Sequence, residues 1–126
     1  MAWGSFEELE VYKECRKLRQ EVSRIAKEHF PSFEKYLLTA QVLDSSRSVT
    51  ANIAEGHGRF HYQENAQFCR ISRGSLMETI EHMICAKDEG YVSEDILAGL
   101  RIQYLKCLKL LNGYIAYLLR RKGGSG

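Results

Sequence analysis

The sequence predicts an all-α fold, an up-down antiparallel four-helix bundle, and three observations predict it. Apolar residues recur at spacings of three and four in four separate stretches, the signature of one buried face per helix. The one proline, Pro31, falls between the first two stretches, and so little proline disfavours a turn-rich β fold. The breaks between stretches are short, so successive helices must pack antiparallel.

The first helix is expected over about 6–29. Ser5 with Glu8 has the spacing of a capping box. Phe6, Leu9, Tyr12, Cys15, Leu18, Val22 and Ile25 then form the apolar stripe. Glu7, Glu8 and Glu10 precede Arg16, Lys17, Arg19, Arg24 and Lys27, an order that complements the helix dipole. Phe30 before Pro31 is pushed out of helical geometry, which ends the element.

The second helix is expected over 33–55, with Phe33, Tyr36, Leu37, Ala40, Leu43, Val49 and Ile53 facing inward. It is rich in small residues (Ser45, Ser46, Ser48, Thr50, Ala51, Ala54), which allow a neighbouring backbone to come close. Gly56 reads as the left-handed residue just past its end.

The third helix is expected over 61–89. Phe68, Ile71, Ser75, Ile80, Met83 and Ile84 form its stripe, and Gly74-Ser75 is expected to face the small patch of the second helix. Gly90 closes it. The fourth is expected over 94–121, opened by Ser93 as N-cap with Glu94 and Asp95 in the first turn. Leu97, Leu100, Tyr104, Cys107, Leu111, Tyr114 and Leu118 make a sustained heptad seam. Arg120, Arg121 and Lys122 sit at its dipole-favoured end.

Residues 1–122 thus read as one domain, the usual size for a single core. Residues 123–126 have the composition of a flexible linker, and Met1–Ser5 are also set aside. Hydrophobic residues at 44% and charged residues at 27% exclude a disordered chain. A net charge of +2 does not by itself specify a nucleic-acid partner. Cys15, Cys69, Cys85 and Cys107 form no C-x-x-C pair, which favours reduced core thiols over a disulfide framework or zinc site. No stretch approaches the length of a membrane span, and no signal peptide is evident, so the cytoplasm is the expected location.

A search for catalytic chemistry finds little. Glu78 and His82 lie four apart on one helical face, with Glu81 beside them and Glu55, His57 and His61 near the second loop. A di-metal bundle needs a Glu-x-x-His pair on each of two helices, and three residues after Glu78 stands Glu81. A metal- or ligand-binding bundle built on Glu55, Glu78 and His82 is kept as an alternative. No glycine-flanked nucleophile, phosphate loop or dinucleotide fingerprint occurs. Neither an enzyme nor a bound cofactor is expected.

The most unusual block runs from Arg47 to Arg59. Ser48, Asn52 and Glu55 share one helical face, with Arg47 one position round. Burying Arg or Glu is costly without a partner, so Arg47, Ser48, Asn52, Glu55 and Glu78 are expected to form a structural polar network between the second and third helices.

The stretch Ser48-Val49-Thr50-Ala51-Asn52-Ile53-Ala54-Glu55-Gly56-His57-Gly58-Arg59 resembles the S-[IV]-x-x-N-I-A-E-G-x-G-R signature of the bacterial four helix bundle protein family. Phe6–Lys13, Phe30-Pro31, Gln41–Arg47, Gly74-Ser75-Leu76 with Glu78, and Gly90-Tyr91-Val92 resemble other family segments in order. The family includes proteins encoded in intervening sequences of large-subunit ribosomal RNA genes. It also includes relatives of the accessory variability determinant of diversity-generating retroelements. The resemblance implies a ring-shaped homopentamer of such bundles, with no catalytic residues to carry over. For the retroelement relatives it implies binding to nucleic acid and to a reverse transcriptase.

Several basic residues are candidates for phosphate contact: Arg16, Arg59, Arg70, Arg73, Arg101, Lys106, Lys109, Arg120 and Arg121. From Arg101 to Lys122 the chain carries cations and no acidic residue. Contacts of this type are salt-sensitive and poor in sequence information. The leading expectation is a non-enzymatic, homo-oligomeric accessory protein binding nucleic acid and a reverse transcriptase. The alternative is an orphan ribosomal RNA intervening-sequence protein with an RNA-related role and no polymerase partner.

Overall fold

The computed structural model describes residues 4–125, with side chains described through Arg121. Four helices account for most of it: α1 (Glu10–His29), α2 (Leu38–His57), α3 (Tyr62–Asp88) and α4 (Glu94–Ser125). Each packs on its neighbours in sequence, and α1 closes against α4, while the diagonal pairs do not meet. Cross-helix hydrogen bonds give the directions. Ser45, Ser48 and Val49 of α2 meet Thr79, Ser75 and Ser72 of α3, so the two run antiparallel. Arg73 with Asn112 and Asn65 with Tyr114 set α3 against α4 the same way. The core runs the length of the bundle, through Val22 and Ile25 on α1, Val42, Val49 and Ile53 on α2, Leu76 and Met83 on α3, and Leu97, Leu111 and Leu118 on α4.

The heptad seam predicted for α4 is the seam observed: Leu97, Leu100, Cys107, Leu111 and Leu118 are buried, and Tyr104 and Tyr114 pack at its edge. Ser93 caps it as expected, its Oγ accepting from the Ile96 N–H at 3.1 Å. The helical backbone continues through Gly123 and Gly124 to Ser125, where a loose tail was expected. Gly126 and Met1–Trp3 lie outside the described residues.

Three other ends differ from expectation. Ser5 does cap, but it accepts from the Glu7 N–H and closes a short 3₁₀ turn, Phe6–Glu8, so α1 begins only at Glu10. Phe6 folds back edge-on to the Tyr12 ring, 5.0 Å between centroids, and this directs the chain into α1. Pro31 is followed by another 3₁₀ turn, Ser32–Glu34, and α2 starts at Leu38, not at Phe33. Phe33, Tyr36 and Leu37 are therefore exposed, at 70%, 81% and 59%. The residue that starts α2 is Glu34: its Oε1 accepts from the Leu38 N–H at 3.2 Å, and its Oε2 accepts from the Tyr91 hydroxyl at 2.7 Å. That bond also holds the Tyr91 phenol up at about 12.

Gly56 does not end α2. It is a buried residue inside the helix, which runs on to His57 and is capped at Gly58. The left-handed closure appears instead at Gly90 (φ 82). There Tyr91 N–H reaches Ala86 C=O at 2.9 Å and Gly90 N–H reaches Lys87 C=O at 3.0 Å, the paired bonds of a Schellman end.

The buried face of α3 is also displaced from the predicted stripe. Ala66, Cys69, Ser72, Leu76, Thr79, Met83 and Ala86 point inward. Ile71 is half exposed, and Gly74 faces open space while Ser75 alone meets α2. The reason is polar: hydroxyls at 72, 75 and 79 find hydrogen-bond partners on α2, so they occupy the face that hydropathy alone would assign elsewhere.

Candidate nucleic-acid interface

The signature block of α2 builds a hydroxyl seam against α3. Ser72 Oγ donates to the Val49 carbonyl at 2.7 Å. Ser48 Oγ pairs with Ser75 Oγ at 2.8 Å, and Ser45 Oγ with Thr79 Oγ1 at 2.9 Å. Asn52 Nδ2 donates back to the Ser48 carbonyl and hydroxyl, at 2.8 and 2.9 Å. Ser48 and Asn52 thus belong to the predicted polar network. Arg47, Glu55 and Glu78 do not. Glu55 is exposed and pairs with Arg59 at 3.2 Å, Glu78 pairs with His82 at 3.2 Å on the outer face of α3, and Arg47 is exposed beside α1. Exposure explains the difference: a charged side chain on the rim stays in water, and short hydroxyls fill the closely packed seam at lower desolvation cost. Glu55, Glu78 and His82 do not converge, and among the described residues no three His, Cys, Asp or Glu side chains are placed to share a metal.

The predicted phosphate-contact residues are dispersed over α1, α3, α4 and the turn between α2 and α3. Arg16, Lys109 and Arg120 are exposed. Arg59 is held by Glu55, by Glu64 at 4.0 Å and over the Phe68 ring. Arg70 donates to Gln67 and Arg73 to Asn112. Arg101 faces Glu94 at 3.6 Å. Lys106 is drawn to Glu14, and Arg121 lies over the Tyr62 ring. They make no single surface.

Glu14 deserves its cations. It is buried in the α1–α4 seam, where Gln103 donates to its Oε1 at 3.1 Å and Lys17 and Lys106 pair with it at 3.0 and 3.2 Å. The Gln103 bond first, then Lys17 and Lys106, hold its carboxyl down at about 2. Lys106 is thus part of the bundle's own closure. The four cysteines are free, and Cys15, Cys69 and Cys107 are buried in the core, as packing residues should be.

Cations do converge in the groove between α1 and α2. Arg19, Arg24, Lys27 and Arg47 line it with Gln20, Ser23, Leu43 and Ser46, around about 330 Å³. Arg24 is neutralised on its own helix by Glu21 and Glu28. Arg19 is half-buried and oriented by its bond to Thr50 Oγ1, 2.8 Å. Lys27 and Arg47 stand in solvent. Small residues at 23 and 46 keep the groove open. Sequence alone does not show the convergence, because Arg47 reads as a buried network residue, and residues 19, 24, 27 and 47 look unrelated until α1 and α2 are paired. The available signal was the small residues around Arg47, which mark where α2 comes close to its neighbours.

A family model for the 23S rRNA-intervening sequence protein matches residues 7–113, most of the chain. The chain belongs to this family. No curated protein matches it significantly. The family match spans α1, α2, α3 and the first two-thirds of α4, so the groove, the hydroxyl seam and the Gly90 closure all lie within the 23S rRNA-intervening sequence protein region. Among the described residues no helix is long and apolar enough to cross a membrane.

This intervening-sequence protein carries a second concavity, at the end of the bundle where α1 and α3 begin and α2 and α4 finish. Leu9, His57, Tyr62, Asn65, Tyr117 and Arg121 are among the residues around its 330 Å³. Tyr114 and Tyr117 stack nearly parallel, 13° apart with 6.2 Å between centroids. Asn65 Nδ2 donates to the Tyr114 hydroxyl at 3.2 Å. Phe60 stands at the rim with left-handed backbone (φ 60), the only non-glycine residue with positive φ among those described.

Proposed function

We propose that this member of the 23S rRNA-intervening sequence protein family is a non-enzymatic protein that binds RNA through the phosphate backbone. The observation that supports this most directly is the α1–α2 groove, where Arg19, Lys27 and Arg47 add positive charge that the carboxylates beside Arg24 do not cancel. Arginine forks suit phosphate oxygens, and no base-reading element accompanies them. The family's description favours an RNA-related role. A reverse transcriptase of a diversity-generating retroelement is the finer alternative partner, and a reverse transcriptase gene with variable repeats beside this one would favour it.

Each phosphate neutralised on a single strand contributes about 0.7 to the slope of log affinity against log salt. Arg19→Gln with Arg47→Gln should therefore lower that slope by about 1.4 and weaken binding to RNAs of unrelated sequence equally. An affinity for RNA that does not change between low and high salt would reject the reading.

We also propose that copies associate through the outer face of α4. Ile102 and Leu105 stand exposed there at 74% and 59%, one helical turn apart, with Ala98 and Ala116 on the same side. An exposed apolar pair of this kind, on a helix face that the bundle leaves uncovered, suits a contact between copies. Association would repeat the groove around a ring, as the pentamer expectation requires. Light scattering should return a multiple of the 14.5 kDa chain mass, five-fold for a pentamer. A mass of one chain would exclude association.

A further inference from the structure

We propose that the end pocket takes one unpaired nucleobase of a bound RNA strand, with Arg121 on the adjoining phosphate. The proposal rests on the RNA-binding reading and names the part of the RNA that the pocket selects.

The volume, about 330 Å³, falls at the small end of ligand pockets, suited to a base with its sugar and too small for a folded segment. The walls supply what a base needs and little else. Tyr62, Tyr114 and Tyr117 offer aromatic faces from two helices. A base of any identity has a π-face, and stacking on such platforms is how unpaired nucleotides are held. The Tyr114 ring is fixed from below by Asn65, which is buried and also accepts from the Cys69 thiol at 3.5 Å. The platform is therefore set before any ligand arrives.

The electrostatics suit a nucleotide. Among the described residues no carboxylate lines the pocket, while two imidazoles, His57 and His61, and one guanidinium do. Arg121 is held above the Tyr62 ring, 5.5 Å from its centroid, and its Nη2 donates to the Tyr62 hydroxyl at 3.4 Å. A cation parked on an aromatic wall at the mouth is placed for an anion attached to the ring that enters. At the rim, Phe60 keeps an aromatic side chain 58% exposed on a backbone conformation that phenylalanine rarely adopts.

The pocket and the groove are also within reach of one strand. From Arg47 to His57 is ten residues along α2, about 15 Å of helix axis. A strand whose phosphates lie on Arg19 and Arg47 can deliver a base to the pocket a few nucleotides away. A base inside a duplex cannot enter, because its faces are already stacked.

The test uses one short unstructured RNA carrying a single 2-aminopurine, alone and annealed to its complement, with the full-length protein. The single strand should bind about tenfold more tightly than the duplex, and its fluorescence should be quenched by stacking. Tyr117→Ala alters an exposed ring, so the fold should survive. It should abolish the quench and bring single-strand affinity down to that of the duplex, leaving duplex affinity unchanged. Tyr117→Phe should keep both the quench and the preference. Arg19→Gln with Arg47→Gln should weaken both RNAs together. If the wild type binds both RNAs equally without quenching, or if Tyr117→Ala keeps the quench, the pocket assignment is overturned and the backbone-binding reading stands. If neither RNA binds, both fall. Binding of a free nucleoside 5′-monophosphate as tight as that of the strand would also overturn it, in favour of a free nucleotide as ligand.

Discussion

A Cβ built on Gly56 would stand 2.6 Å from the side-chain oxygen of Asn65, so α2 and α3 cross at a point where no residue but glycine fits. The Asn65 carbonyl oxygen and Phe68 Cβ are each 3.0 Å from the same position, and swinging the Asn65 amide aside would not clear them.

Gly56→Ala should therefore destabilise the protein by about 1–3 kcal/mol, the range of overpacking in a closed core. Gly74→Ala is the control. Gly74 is also inside a helix, but nothing stands within 4 Å of a Cβ there. Helix propensity acts alone at that site, and alanine should add up to about 1 kcal/mol of stability. Urea unfolding of both variants checks the opposite signs.

Gly90→Ala isolates a third effect. A Cβ at Gly90 meets nothing within 4 Å, yet φ is +82. The cost is conformational only, about 1 kcal/mol, and Gly90→Asn should recover part of it. Thermal melts of the two variants at one protein concentration would show the order Gly, Asn, Ala.

Glu14 makes stability depend on acid. Its folded carboxyl lies near 2, below its ordinary value of 4.5, so the native state holds the ionised form more strongly than the unfolded chain does. The contribution is fully present above about pH 4.5 and is lost as pH falls through about 2. Glu14→Gln should be less stable than the wild type at pH 7, and the gap should narrow steadily between pH 5 and 2. Denaturant titrations at several pH values give the measurement, and a gap constant over that window would contradict the assignment.

The Ser45–Thr79 hydroxyl pair is buried between α2 and α3. Thr79→Val keeps the volume and removes the hydroxyl, which also donates to the Ser75 carbonyl at 2.8 Å. The loss should be about 1 kcal/mol. Adding Ser45→Ala should cost less than the two single losses combined, because the shared Ser45–Thr79 bond can be lost only once. A double-mutant cycle by chemical denaturation decides it.

Much of the fold was legible in the sequence, and the seam of α4 shows why. Leu97, Leu100, Cys107, Leu111 and Leu118 recur at spacings of three, four and seven and are all buried, so the heptad spacing identifies both the helix and its inward face, although Ile102 and Leu105 lie outside it. On α3 the same reasoning stops early. Its inward face holds Ala66, Cys69, Ser72 and Thr79, while Ile71 and Met77 turn outward, so hydropathy does not single out a side. Glu34 illustrates another limit: it caps α2 through a backbone N–H four residues ahead and is held by Tyr91 from the far side of the chain. The candidate site was legible only in part. Arg19 and Lys27 read as basic and Arg47 as unusual, but nothing local says that they share a groove.

The sequence by itself determined the number of helices, their punctuation at Pro31, Gly90 and Ser93, and the family, because each depends on neighbours within a turn or two. Tertiary structure alone decided how far each helix is rotated about its axis. That rotation follows from where buried hydroxyls find acceptors and where Gly56 lets two backbones touch, and both depend on residues far away in the chain. It is the rotation that brings Arg19 and Arg47 into one groove and leaves Glu55 and Glu78 outside in water.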